Sequence, residues 1–402
     1  MAMKRLKVTF FATFLLAGLS FITFAQEEGE GYKLEVVKEI KTSPVKNQQR
    51  TGTCWSYAVS SFLESEIIRM GKPQVLLSPM YFVKHTYANK GKRFVRFQGK
   101  NNFGQGGQAH DVLTVIATHG VVPESEFLGN NYGEEMHVHS ELAAVLNGFL
   151  EAVVKNPNRK LSTAWEPAFN NILTTYLGET PERFSIEGKM FTPHTLTEHL
   201  GIDIENYIEL TSYTHHPFYQ PIVLEIPDNW AHKAYYNVPM DELMSIMHNA
   251  IDNGYTICWD GDVSEKGFAY RKGLAVLPQV KVTEMTDSEQ GKWVDVPKDE
   301  LLSTIYGFNR IVPEVNVTQG LRQETFDNFT TTDDHLMHIV GISKDQDGNL
   351  YYLTKNSWGS SDHIYNGYLH MSEQYVKLKT TSIMVHKDAL PKDLAKKLGL
   401  KL

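Results

Sequence analysis

One cysteine stands where a polar loop turns into a helix, and no other feature of this chain constrains its fold as tightly. Residues 44–71 read PVKNQQRTGTCWSYAVSSFLESEIIRMG. Before Cys54, the run Asn47-Gln48-Gln49-Arg50-Thr51-Gly52 has no helical period. After it, Trp55, Val59, Phe62, Leu63, Ile67 and Met70 recur at three- and four-residue steps, which predicts an amphipathic helix. Gly71 and Pro73 supply the stop. Cys54 therefore falls in a first helical turn, where unpaired N–H groups and the positive helix end favour an anion. A thiolate is that anion and the reactive form of the side chain, so a lowered thiol pKa is expected. With a base and an oxyanion site nearby, such a group attacks carbonyl carbon. The plainer reading is a small inert core residue, since buried free cysteine is common.

Gln48 followed six positions later by Cys54-Trp55 at a helix start resembles the active-site loop of papain-like cysteine peptidases. The common form of that loop carries a second cysteine three positions before the nucleophile. Here Thr51 takes that place. The resemblance is therefore to the branch that lacks the local disulfide, that of bleomycin hydrolase and aminopeptidase C.

The chain has 402 residues, room for two domains or one large two-lobed unit. A formal net charge of -8 argues against a general binder of nucleic acid or anionic membrane, because phosphate recognition needs a basic surface. With only Cys54 and Cys258 present, a catalytic Cys54 leaves no disulfide framework. The N-terminus reads as an export signal: Lys4, Arg5 and Lys7, then an apolar run over residues 8–24, then Thr23-Phe24-Ala25 before Gln26. An uncleaved anchor is the competing reading, since the run is close to the minimum for spanning. The sequence favours removal of residues 1–25 and a periplasmic or secreted protein.

Along the mature chain, residues 32–41 predict a short strand, and Ser78-Pro79 predicts a capped helix start. Residues 90–100 read as a basic, solvated surface loop. The glycine-rich residues 101–107 precede a helix that ends at Gly120. By resemblance, Gly107, with Gly106 and Gln108 beside it, lines the substrate cleft and offers backbone to an extended peptide. Residues 134–202 are largely helical in pattern, and residues 177–200 resemble inserted helical structure of aminopeptidase C. Glu135, His137 and His139 form an incomplete ligand set that fits a surface polar run better than a metal. Residues 255–262 read as a strand with Cys258 inside it, and residues 280–298 as a polar surface excursion.

The C-terminal third carries the partner chemistry. Residues 335–342 read as one strand, Gly348-Asn349 as a turn, and residues 350–359 as its return. Asn356-Ser357-Trp358-Gly359 resembles the papain-like asparagine motif, and aligning Gly341 with the family's glycine makes His335 the imidazole. His338, an odd offset away, then points to the opposite face. A papain-like pattern expects histidine and asparagine roughly 130–150 residues after the cysteine. His335 lies far beyond that, which requires an insertion.

The resemblance implies an α+β, two-lobed papain-like fold: a helical lobe over residues 26–133, a helical insertion over 134–204, and a β-rich lobe over 205–402. It implies a cysteine peptidase in which Cys54 and His335 form an ion pair and a thioester is made. Asn356 orients the ring, Trp358 shields that bond, and Gln48 joins the Cys54 N–H in the oxyanion hole. It further implies an aminopeptidase whose terminal residues 400–402, ending in the Leu402 carboxylate, enter the cleft and hold the substrate's ammonium. No metal or cofactor is expected, the partner is a peptide, and the branch's hexamer suggests a homo-oligomer. An endopeptidase, a cysteine acyltransferase and a non-catalytic binding protein remain open.

Overall fold

The computed structural model describes residues 31–158, 160–279, 305–361 and 363–401. The export signal at 1–25, the polar excursion at 280–298, and Leu402 lie outside the described residues. The first part of the chain is helical: α1 (Cys54–Arg69), α2 (Pro79–Arg96), α3 (Ala109–His119), α4 (Ser140–Val154), α5 (Trp165–Leu177) and α6 (Pro193–Leu200). Ser78 caps α2 by accepting from the Tyr81 N–H at 3.1 Å. All six helices contribute to one apolar core, so residues 134–204 are packed into the helical lobe.

The second part is built on an antiparallel sheet. Its main strands are β1 (Glu35–Glu39), β2 (Tyr207–Thr211), β3 (Ile257–Gly261), β4 (His335–Lys344), β5 (Leu350–Lys355), β6 (Tyr368–Ser372) and β7 (Thr380–His386). In space the order is β2-β7-β3-β4-β5-β6, with β1 also pairing with β4 and short strands at both edges. Side chains alternate across this sheet. Cys258, Leu336 and Met384 join the helical core, while Ile257, Trp259, Met337, Ile339, Ile383 and Val385 face a second core. That second core is covered by α7 (Met240–Asp252). The remaining α-helices among the described residues are α8 (Gln319–Asp327), α9 (Glu373–Lys379) and α10 (Lys392–Lys397).

Two expectations need correction. α1 is buried on every side from Cys54 to Ile67, not along one stripe, because it is wedged between the helices and the sheet. Its charges survive burial by pairing: Glu64 meets Lys46 at 3.0 Å and the Leu77 N–H at 2.8 Å, and Glu66 meets Arg69 at 2.7 Å. Residues 90–96 are not a solvated loop but the end of α2. Lys90 is fully buried, and its ammonium donates to the carbonyls of Gly104 (2.9 Å) and Gly106 (2.6 Å). Gly91 is required there, since a Cβ would meet the Phe169 ring at 2.6 Å.

Candidate active site

The cysteine loop is held by polar contacts. Thr51 Oγ1 donates to Gln48 O at 2.8 Å, and Gln48 Nε2 donates to Thr51 O at 2.7 Å. The loop is tied to the β-rich lobe as well: Gln48 N donates to Ser357 O at 2.8 Å and Gly359 N to Lys46 O at 3.1 Å. This short pairing sets Gln48 beside Asn356-Ser357-Trp358. Cys54 follows as the first residue of α1, is 8% exposed, and has a backbone N–H with no acceptor among the described residues. Its sulfur lies against the backbone N–H of Leu336, the residue after His335.

His335 begins β4 and is nearly buried. Its Nε2 and Asn356 Oδ1 are 2.8 Å apart. The Ser357 N–H also donates to that oxygen at 2.7 Å, which fixes the amide orientation and makes Nε2 the protonated nitrogen. Nδ1 is then the basic nitrogen. Trp358 lies over the ring with centroids 4.7 Å apart and is itself 38% exposed, so it roofs the His335–Asn356 bond. His338 points the other way, with Nδ1 2.8 Å from Ser61 Oγ on α1. Cys258 is buried and free inside β3.

Burial pushes the Cys54 thiol up to about 12, and Asp260, Asp228 and Asp333 add to this, while the Leu336 N–H opposes it. Burial drives the His335 imidazole down to about 4, against the bond to Asn356. The lowered thiol expected from the helix start is therefore not found. No hydrogen bond joins Cys54 to His335 among the described residues. At Cys54, desolvation outweighs the helix end.

The glycine-rich loop is pinned by Gly52 N to Gln105 Oε1 (2.8 Å) and Trp55 Nε1 to Gln105 O (3.0 Å). Gly107 is buried, and neither its N–H nor its carbonyl has a partner among the described residues, which leaves both for an extended ligand. The Gly106 carbonyl is instead occupied by Lys90. Gln108 caps α3 and sends Nε2 to Asp333 Oδ2 at 3.0 Å. Beside Trp358, a groove of about 870 Å³ is lined by Phe268, Tyr270, Arg271, Lys272 and His363.

The expected course of the tail is corrected up to Leu400. Leu394, Leu398 and Leu400 pack on the core under α7, Leu400 N bonds to Ala395 O at 2.9 Å, and Lys397 pairs with Glu242 at 2.6 Å. Apolar burial holds this segment on the sheet face opposite α1. Leu402 lies outside the described residues. Glu135, His137 and His139 are not gathered: His139 is fully buried with neither ring nitrogen partnered. Among the described residues, only His215, His216 and Glu225 bring three ligand atoms within 4.8 Å, and the cluster is largely exposed. Sequence reasoning missed Asp228, Asp260 and Asp333, the carboxylates nearest in effect to Cys54. Their only sequence signal was acidic residues next to recognised motifs.

The Peptidase C1-like family model matches residues 80–292 and 288–401, a span that holds His335 and Asn356 and starts after Cys54. The chain belongs to this family. Within the Peptidase C1-like family it is 23% identical to Aminopeptidase C of Listeria monocytogenes, over 89% of this chain and 83% of that protein. It is 21% identical to Aminopeptidase W of Lactobacillus delbrueckii, over 89% and 84%. The crystal structure of PepW from Lactobacillus rhamnosis superposes with a TM-score of 0.68 at 18% identity, covering 91% of this chain and 84% of that one, and shares its fold. This Peptidase C1-like chain is a papain-like cysteine peptidase of α+β fold, with Gln48, Cys54, His335 and Asn356 gathered at the seam of its lobes.

Proposed function

We propose that the protein is an exported cysteine aminopeptidase. The observation that carries the catalytic part is the arrangement of Cys54 beside β4, whose first residue, His335, is held by Asn356 under Trp358. Peptide laid along Gly107 brings its carbonyl carbon to Cys54. His335 Nδ1 takes the thiol proton as sulfur attacks, and the tetrahedral oxyanion meets the Cys54 N–H and the Gln48 amide. The imidazolium then protonates the leaving amine, a thioester remains, and a water activated by the same nitrogen releases the acid. The names of the relatives, Aminopeptidase C and W, support removal of residues from the peptide N-terminus.

The basic and then apolar N-terminus supports cleavage of residues 1–25 and a periplasmic or secreted location. Among the described residues, no helix is long and apolar enough to cross a membrane. The resemblance to the aminopeptidase C branch supports a homo-oligomer, read by light scattering of the mature protein. The catalytic reading is tested with Cys54→Ala and Cys258→Ala. The first abolishes hydrolysis and labelling by an epoxide thiol inhibitor, and the second keeps both. Labelling that survives only in the Cys54 variant reverses the assignment.

A further inference from the structure

An aminopeptidase needs a group that recognises a free ammonium, and through Leu400 the tail is committed to the other face of the sheet. The cleft holds its own anions. Asp260 on β3 stands directly across from Leu336, whose N–H touches the Cys54 sulfur. Like Cys258 two residues before it, Asp260 lies on the sheet face toward α1. Asp333 is two residues before His335, and its carboxyl is in hydrogen-bond contact with that of Asp260. Asp228 comes in from a third segment, against Gly106, and accepts from Asn102 Nδ2 at 3.0 Å.

These carboxyls are positioned by hydrogen bonds, and burial beside Asp260 and Asp228 holds Asp333 well above the usual carboxylate range, so Asp333 is the protonated partner in its contact with Asp260. The Tyr235 hydroxyl donates to Gln108 Oε1 at 3.2 Å, which turns Nε2 toward Asp333. Thr381 Oγ1 and Ser382 Oγ donate to Asp260 Oδ2 at 2.7 and 3.3 Å. Asp260 is 2% exposed, and its carboxyl also meets the Asp333 carboxyl and the Gln108 amide, with no cationic donor at either oxygen among the described residues. Among the described residues, no lysine or arginine is ion-paired with Asp228, Asp260 or Asp333. Lys90 is close enough to feel Asp228 and Asp333, but its ammonium is spent on two carbonyls. A buried carboxyl pair that shares a proton and has no ion-paired cation is stabilised by one. Asp333 is the half-buried member and lines an adjoining groove of about 500 Å³ with Ile226, Pro227 and Thr332, which gives access.

We propose that Asp260 and Asp333, aligned by Gln108, form the seat for the α-ammonium group of the substrate's first residue. The proposal rests on the aminopeptidase reading and names the residues that impose it. It also connects binding to reactivity: the same carboxylates oppose the Cys54 thiolate, and an ammonium placed among them offsets that opposition.

The test compares leucyl-7-amido-4-methylcoumarin with its 4-methylpentanoyl analogue, which lacks only the amino group. In Asp260→Asn and Asp333→Asn, kcat/KM for the leucyl substrate should fall about 10- to 100-fold, mostly through KM, as for a lost charged hydrogen bond. The slow cleavage of the desamino analogue should not fall. Equal losses on both substrates, or full retention of amine selectivity, overturn the seat. If the wild-type enzyme itself cleaves both equally, it is the aminopeptidase reading that fails. If loss appears only on N-acetylated substrates with arginine before the cleaved residue, the acids serve a basic side chain and the proposal is wrong. Should Asp260→Asn fail to fold, Asp333→Asn decides by inhibition: leucinamide must inhibit the wild type better than 4-methylpentanamide, and the variant must lose that difference.

Discussion

Ser357 Oγ donates to Gln48 Oε1 at 2.7 Å, joining the residue after the imidazole's partner to the amide proposed for the oxyanion hole. The bond commits the oxygen end of Gln48, so its Nε2 end is presented toward Thr51 and the cysteine loop. Ser357→Ala should therefore lower kcat roughly five- to tenfold with KM little changed, the effect of one lost orienting bond. Gln48→Ala, which removes the donor itself, should cost about 10²–10³ in kcat. Wild-type turnover in the Ser357 variant would show that the bond does not orient the amide.

His335 and His338 share a strand but not a role. His335→Ala should reduce hydrolysis by orders of magnitude while the protein still folds. His338→Ala leaves Ser61 and Lys355 Nζ, which donates to Ser61 Oγ at 2.8 Å, in a disturbed buried network. It should cost about 1–3 kcal/mol of stability, read as a lower midpoint in urea, with turnover per folded molecule retained. Full activity in the His335 variant would mean that the strand is aligned wrongly.

The glycine loop gives a graded series. A Cβ at Gly106 would lie 1.8 Å from Asp228 Oδ2, and one at Gly107 would lie 2.8 Å from Asp111 Oδ2 and 3.0 Å from Trp55. A Cβ at Gly104 meets nothing within 4 Å. Gly107→Ala should displace the unpartnered backbone and raise KM about tenfold, the loss of a peptide hydrogen bond or two. Gly104→Ala should leave KM unchanged. Equal effects at both positions would remove Gly107 from the substrate contact.

Charge around Cys54 sets a pH dependence. Its thiol is pushed up to about 12 by burial and then by Asp260, Asp228 and Asp333, with the Leu336 N–H opposing. Negative neighbours disfavour the thiolate, so Asp260→Asn should move the alkylation profile of Cys54 with iodoacetamide to lower pH. At a fixed mildly alkaline pH the variant should react faster than the wild type. An unchanged profile, or a shift to higher pH, contradicts the electrostatic account.

Gln48, Cys54, His335 and Asn356 were legible in the sequence because each sits in a short motif whose spacing is set locally by a loop, a helix start or a hairpin. The same holds for the Ser78 cap and the Gly120 stop. What was not legible depended on partners distant in sequence. Lys90 looked solvated because nothing nearby reveals that Gly104 and Gly106 turn their carbonyls to it. The full burial of α1 follows from the sheet packed on its second face, not from its own periodicity. The tail reads as an end that enters the cleft until Leu394, Leu398 and Leu400 are seen packed under α7. Asp260 and Asp333 lie 73 positions apart and meet only because β3 pairs with β4.

The central claim is cysteine-dependent removal of residues from a free N-terminus. One peptide, with its N-terminus free or acetylated, should be digested by the mature enzyme and by Cys54→Ala, and the products weighed by mass spectrometry. The account predicts stepwise loss of single N-terminal residues from the free peptide, an intact acetylated peptide, and no cleavage of either by the variant. Internal cleavage of the acetylated peptide at the same rate, or hydrolysis by Cys54→Ala, would contradict it.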